Sequence, residues 1–184
     1  MPLEDTFIAH AQIMASAKKL FIEKKAIYGD SWQLMDIHYI ANRIMVKCER
    51  ITCLISGVAQ QVGDDIPTEL TDIINYALIA LMQLKRGGQA SSAPITDQAT
   101  LALYDGCVEE INTLLKQKNN DYSDAWKKMQ YPSLITQIKI KLSRVLNQSP
   151  SSIQEDPSNA IDQYKDITNY AVFAIIHPKA PYNR

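Results

Sequence analysis

Residues 72–78 read DIINYAL and residues 166–172 read DITNYAV. An acid, an amide and a phenol recur at one spacing, each time at the head of an apolar run. The offset between the two is 94 positions, and the same offset carries YGDSW at 28–32 onto YSDAW at 122–126 with no insertion. It also superposes Lys24 on Lys118, Met35 on Met129, Ile44 on Ile138, Lys47 on Lys141, Arg50 on Arg144 and Ala80 on Ala174. A fixed period of this length is the mark of an internal duplication, so the fold to be read is that of one half, built twice.

Each half reads as helices. Leu101, Tyr104, Val108, Ile111 and Leu115 form a stripe at spacings of three and four, and Phe7, His10, Met14, Ala17 and Phe21 are its shifted counterparts. The aromatic turn follows, in which glycine or serine and the aspartate break the pattern, with Asp30 and Asp124 expected to cap the next segment. A second helix is predicted from about Ile37 to Ala59 and, in the other half, from about Ser133 to Leu146. The third starts near Pro67 and stops at Gly87 and Gly88; its twin starts after Asp156 and Pro157 and ends before Pro178. Thr96 and Asp97 supply an N-cap and a first-turn acid.

The expectation is therefore an all-α protein with six helices and no sheet. A first repeat would span 1–86, a linker 87–96, a second repeat 97–177 and a tail 178–184. Two copies of one helical unit bury their apolar faces most simply by packing about an approximate twofold axis, so the repeats are expected to form one compact pseudo-dimeric bundle.

The chain has 184 residues, 46% apolar and 21% charged, with a formal net charge of -1. Neither half is strongly basic, which argues against broad attraction to nucleic acid or to an anionic membrane surface. The longest apolar run, INYALIALM, is about half of the roughly 20 residues a membrane-spanning helix requires. Cys48, Cys53 and Cys107 form no CxxC pair and no zinc constellation with His10, His38 and His177. They read as reduced, mostly buried thiols, and with no secretory pattern at the N-terminus the expected location is cytoplasmic.

The residues that could carry chemistry lie beside the buried stripes. Arg43, Lys47 and Arg50 fall in one sector of the second helix, and the other copy keeps Lys141 and Arg144 but has Gln137 in place of Arg43. On the third helix Glu69, Asp72 and Tyr76 share a sector, where the twin has Gln163, Asp166 and Tyr170. Two readings stand side by side. In one, Lys47 with Asp72 and Lys141 with Asp166 are interhelical ion pairs closing a hydrophobic seam. In the other, the acids hold a divalent cation and Lys47, Arg50, Lys141 and Arg144 grip phosphate oxygens. Trp32 and Trp126, with Tyr28 and Tyr122, are either core caps or stacking platforms for a base. Asn75 and Asn169 either tie backbone or read a base edge, and Glu49 is a surface residue. No GxSxG, Walker loop, HExxH or GxGxxG is present, which leaves nucleophilic and dinucleotide-dependent mechanisms without support.

Taken together, the repeat, the YGxxW-type turn, the KxxR helix and the DIINYALIAL helix resemble the nucleotide modification associated domain, type one, a bacterial tandem-repeat family. That family in turn resembles the all-α nucleoside triphosphate pyrophosphohydrolases of the MazG and dimeric dUTPase group. The resemblance implies a MazG-like helical fold and a site in which an ExxE helix and an ExxD helix hold magnesium and hydrolyse between the α and β phosphates. Glu69 and Asp72, within ELTD, match the ExxD helix; Asp166 matches it by half; neither second helix has ExxE, and a lysine there competes with the cation.

On this basis the leading expectation is a nucleotide-handling protein, and more finely a magnesium-dependent pyrophosphohydrolase acting on canonical or modified nucleotides. Glu69, Asp72 and Asp166 would bind metal. Lys47, Arg50, Lys141 and Arg144 would hold phosphate, and Asn75, Tyr76, Asn169, Tyr170, Trp32 and Trp126 would face the nucleoside. The rival is a catalytically silent helical binding module with structural Lys–Asp pairs. Any apolar strip outside the pseudo-dimer would be a surface for a true homodimer.

Overall fold

The computed structural model describes residues 3–57, 63, 65–91 and 93–183, with backbone alone at 3, 4, 120, 122 and 183. It is all helical: 82% of the described residues are in α-helices or 3-10 turns, and no strand occurs among them. The elements are α1 (Leu3–Tyr28), α2 (Ile37–Ile55), α3 (Ile66–Lys85), α4 (Asp97–Tyr122), α5 (Tyr131–Leu146), α6 (Pro150–Glu155) and α7 (Ser158–Ile176), with short 3-10 turns at Ser31–Leu34, Ala125–Lys128 and Pro181–Asn183.

The helix ends follow local chemistry. Asp36 accepts a hydrogen bond from the Tyr39 amide at 2.7 Å, Asp65 from Thr68 at 2.9 Å and Thr96 from Ala99 at 3.2 Å, so three of the long helices begin on side-chain caps. At the other end of α3 the Gly88 amide donates to the Gln83 carbonyl at 2.8 Å, with Gly87 at φ 102° and Gly88 at φ 75°. Those angles are open to glycine and closed to most side chains, which is why the paired glycine stops this helix.

Several sequence expectations need correction. Seven α-helices are described instead of six. The additional one, α6, starts on Ser149, whose hydroxyl accepts from the Ser152 amide at 3.1 Å, followed by Pro150 in the first turn. α2 ends at Ile55, and the anticipated end at Ala59 lies outside the described residues. α5 begins at Tyr131, ahead of Ser133, because Pro132 suits its first turn. Asp30 and Asp124 occupy the N-cap positions of their 3-10 turns, but neither carboxylate caps. Both are drawn off by side chains, as described below.

The core is a bundle of α2, α3, α5 and α7. α3 packs on α7 and α2 on α5 across the pseudo-twofold axis, while α2–α3 and α5–α7 pair within their repeats. α1 and α4 lie over the α3–α7 pair, each touching both. Ile40, Ile44, Ile51, Leu70, Ile74, Ile138, Leu142 and Ile167 are fully buried between these faces. A pair of reciprocal contacts fixes the axis: Tyr104 of the second repeat donates to the Asn75 carbonyl oxygen at 3.0 Å, and His10 of the first repeat bonds Asn169 at 3.1 Å. Tyr104 and His10 are themselves 94 positions apart, so each repeat reaches into the other at the same place.

Candidate functional site

Two cavities flank the axis. The first, about 360 Å³, is lined by residues of α1, α2, α3 and the YGDSW turn. The second, about 440 Å³, is lined by residues of α4, α7 and the YSDAW turn. Each of the eleven residues lining the second has its partner, 94 positions earlier, lining the first. The duplication has thus preserved a pair of concave sites as well as a core.

An ion-paired aspartate sits at the edge of each. Lys47 on α2 lies 2.7 Å from Asp72 and 2.9 Å from Glu69, Lys24 on α1 lies 2.7 Å from the other oxygen of Asp72, and Arg50 Nε lies 2.9 Å from Glu69. In the second repeat Lys141 on α5 lies 2.6 Å from Asp166, and Lys118 on α4 pairs with the other Asp166 oxygen. Each aspartate therefore ties the three long helices of its repeat together. Burial pushes the Asp72 carboxyl up, but the hydrogen bonds from Lys24 and Lys47 outweigh burial and hold it below the usual carboxylate range. Lys47 mirrors this: burial disfavours its charge, and Asp72 and Glu69 more than restore it.

This donor set does not fit a resident magnesium ion. Every oxygen of Asp72, Glu69 and Asp166 faces a lysine or arginine at contact distance. No group of three or more His, Cys, Asp or Glu side chains suited to a metal occurs among the described residues. A hard cation seeks several oxygen ligands, and an ammonium already bridging two carboxylates occupies the place it would take. The arrangement matches the interhelical ion-pair reading for Lys47–Asp72 and Lys141–Asp166.

The candidate phosphate ligands divide. Lys47 lines the first cavity, whereas Arg50 does not and is held by Glu69. Lys141 does not line the second cavity and is held by Asp166, and Arg144 is exposed with no ion pair among the described residues, its would-be partner being Gln163 where the first repeat has Glu69. The first cavity is also lined by three cations not expected among the phosphate ligands, Lys24, Lys25 and Arg43. Lys24 carried a signal, since it recurs as Lys118, but only the packing of α1 on α3 brings it to Asp72. Arg43 lies over the Tyr76 ring at 5.9 Å from the centroid.

The candidate nucleoside residues all line a cavity: Trp32, Asn75 and Tyr76 the first, Trp126, Asn169 and Tyr170 the second. Both tryptophans are also buried core residues, and Trp126 stacks flat on Phe173 with centroids 4.6 Å apart. Burial, with Asp166 nearby, raises the Tyr170 phenol, which stays protonated at neutral pH. Tyr28 is exposed at the mouth of the first cavity, while the Tyr122 side chain lies outside the described residues.

The two sites differ in how their polar atoms are used. In the first, Trp32 Nε1 donates to Asp30 at 3.3 Å, Asn75 Nδ2 donates to the Ala17 carbonyl at 3.0 Å, and Lys25 pairs with Asp30 at 3.0 Å and with Asp97. In the second, Asp124 is taken by Lys127 and by the Thr6 hydroxyl at 3.2 Å. Trp126 Nε1 is left without an acceptor, as are Asn169 Nδ2 and Nδ2 of Asn119, the residue replacing Lys25. In charge the contrast is as plain. Lys24, Lys25, Arg43 and Lys47 share the first lining with Asp72, whereas Lys118 and Asp166 are the only charged residues described in the second.

A family model described as nucleotide modification associated domain 1 matches residues 24–84 and again residues 118–177. The two matches cover both aromatic turns, both ion-paired aspartates and most of the two cavity linings. No curated protein and no solved structure matches the chain, so the wider likeness to the MazG and dimeric dUTPase group finds no counterpart there. Among the described residues no helix is long and apolar enough to cross a membrane.

Proposed function

Since the chain belongs to the nucleotide modification associated domain 1 family, we propose that it binds a nucleotide in the cavity of its first repeat, as a binding module and without metal-assisted hydrolysis. The observation that carries this reading is the lining itself: four cations and one carboxylate, with Trp32 and Tyr76, in a space of about 360 Å³. That volume is within the range of small-molecule sites. An aromatic wall suits the flat face of a base, and a surplus of lysine and arginine suits phosphate oxygens. Lys24, Lys47 and Arg43 are the phosphate ligands in this reading, and Trp32 and Tyr76 flank the base. Asn75 shapes the wall, since both ends of its amide are already engaged.

The pyrophosphohydrolase reading keeps one favourable observation, the ELTD motif with both Glu69 and Asp72 on α3. A single experiment separates the two. Ribo- and deoxynucleoside triphosphates are titrated against the protein with and without magnesium, following the melting temperature and pyrophosphate release. Binding without turnover predicts that a nucleotide raises Tm in the absence of magnesium, and that no pyrophosphate appears. Arg43→Gln, which installs the residue of the other repeat, should weaken that nucleotide about fivefold, the loss expected for one charge-assisted contact of ~1 kcal/mol. Pyrophosphate release with magnesium would replace this reading by the hydrolytic one, and no Tm response to any nucleotide would sink both.

A further inference from the structure

The rim of the first cavity differs from that of the second as its lining does. Ile27, Tyr28, Leu34 and Tyr39 are 73%, 67%, 64% and 48% exposed, and they lie on the segments that wall this cavity: the end of α1, the 3-10 turn after it and the first turn of α2. Tyr28 lines the cavity itself, and Tyr39 stands one turn before Arg43, which also lines it. The positions 94 residues later are Asp121, Tyr122, Lys128 and Ser133, so three of these four side chains have a polar or charged counterpart. The same helices and turn thus fold around the second cavity without an apolar rim. Large apolar side chains exposed at the mouth of one cavity and not of its twin mark a place where something docks.

We propose that the first cavity holds one nucleotide of a single-stranded nucleic acid, with neighbouring bases stacked on Tyr28 and Tyr39 at its mouth. The inference rests on the nucleotide reading of that cavity and extends it from a free nucleotide to a strand. A strand supplies both flat faces for exposed rings and phosphates for cations. Arg43 has no ion pair among the described residues and lies over the Tyr76 ring, which sets a cation at the step from cavity to rim. Other occupants match one half of this surface and miss the other. An acidic peptide brings charge without flat faces, a second copy of this chain brings the same cations to meet these, and a duplex keeps its base faces stacked on one another. With a net charge of -1 the chain exerts no broad pull on a polyanion, so the affinity is local and carried largely by stacking.

The test is calorimetry of the full chain, without magnesium, against 5′-phosphorylated adenylates of one, two and three nucleotides in both the deoxy and the ribo series. Affinity is expected to rise about tenfold or more from monomer to trimer in the series whose sugar the site takes, and a blunt-ended duplex should not displace the trimer. Tyr39→Ser, which installs the residue of the other repeat, should leave the mononucleotide unchanged and weaken the trimer about fivefold or more, the low end for one stacked base. Only the side chain is altered, and the amide that donates to Asp36 stays in place. Should that variant fail to fold, Tyr28→Ala should cost the trimer more than the mononucleotide. Equal affinity for monomer and trimer overturns the inference and leaves the nucleotide reading standing, whereas binding of neither sinks both. The inference is also overturned by a trimer gain that survives Tyr39→Ser, by an oligoglutamate that displaces the trimer as well as an unlabelled strand does, or by light scattering that shows a dimer dissolved by Tyr39→Ser.

Discussion

The first cavity answers its own polar groups and is lined by four cations to one carboxylate; the second is lined by one of each and leaves three amide or indole nitrogens unanswered. Both follow from a few substitutions in one inherited frame. Lys127 in place of Gln33 draws Asp124 away from the Trp126 indole. Asn119 in place of Lys25 removes a cation and adds an unsatisfied amide, and Gln137 in place of Arg43 removes another cation. The backbone has absorbed these changes while the aspartate, asparagine, tyrosine and tryptophan of each site stayed put. The scaffold is thus set by the residues common to both repeats, and the charge and polarity of each cavity by what surrounds them.

The sharpest way to break the comparison is to remove the aspartates one at a time. Asp166 is the only described carboxylate paired with Lys118 or Lys141, whereas Lys47 keeps Glu69 when Asp72 is lost. Asp166→Asn should therefore be the more damaging change, costing ~3 kcal/mol, the low end for stranding a buried partner. That corresponds to a fall in Tm of about 6–12 °C for a chain of this size. Asp72→Asn should cost about half as much, since Lys24, the partner it strands, is 47% exposed. Equal losses in the two variants, read by thermal or urea unfolding, would show that Glu69 plays no compensating part.

A smaller effect sits at the turn between helix and 3-10 segment. Gly29 adopts φ 61°, and its counterpart Ser123 is the only described non-glycine residue at positive φ, 51° with ψ -142°. That backbone region is nearly reserved for glycine and strains a side-chain-bearing residue. Ser123→Gly should raise stability by about 1 kcal/mol, whereas Gly29→Ser should lower it, each measured as a shift of the urea midpoint at constant slope.

The smallest effect is on pH dependence. Burial lowers the His10 pKa, and the bond to Asn169 offsets this only in part. The unfolded chain takes up that proton near 6.5 while the folded chain resists it. Stability from this group is therefore present above 6.5 and lost as the pH falls through the folded value. Burial lowers His177 as well, with the same sign. His10→Gln should flatten part of the acid-side decline in Tm, and an unchanged profile would assign the decline to other groups. Tyr104, at the matching place, is pushed further from titration by burial, so the first cavity has no such sensitivity.

Much of this architecture was legible before any coordinates. The 94-residue register fixed the two-repeat helical plan, and the helical wheel placed Lys47 and Asp72 on facing seams. What the sequence left unread depends on which helices meet. Nothing local shows that Lys24 on α1 would reach past the turn to Asp72, or that Tyr104 would brace Asn75 of the other repeat. The short α6 carried a readable signal in Ser149 and Pro150, but its 94-residue counterpart, around 56–61, falls largely outside the described residues and offers no second copy to confirm it. The capping assigned to Asp30 and Asp124 failed because lysine, indole and hydroxyl groups brought in by tertiary packing compete better for a carboxylate than nearby amides do.

The linker joining the repeats has a consequence for how the molecule can change over generations. In an assembly of two identical subunits, any mutation is written into both recesses at once, so neither can drift from its original task without the other. A covalent join after Lys85 lifts that restriction: one recess can hold to an older use while its neighbour explores another, under a shared roof that neither can abandon.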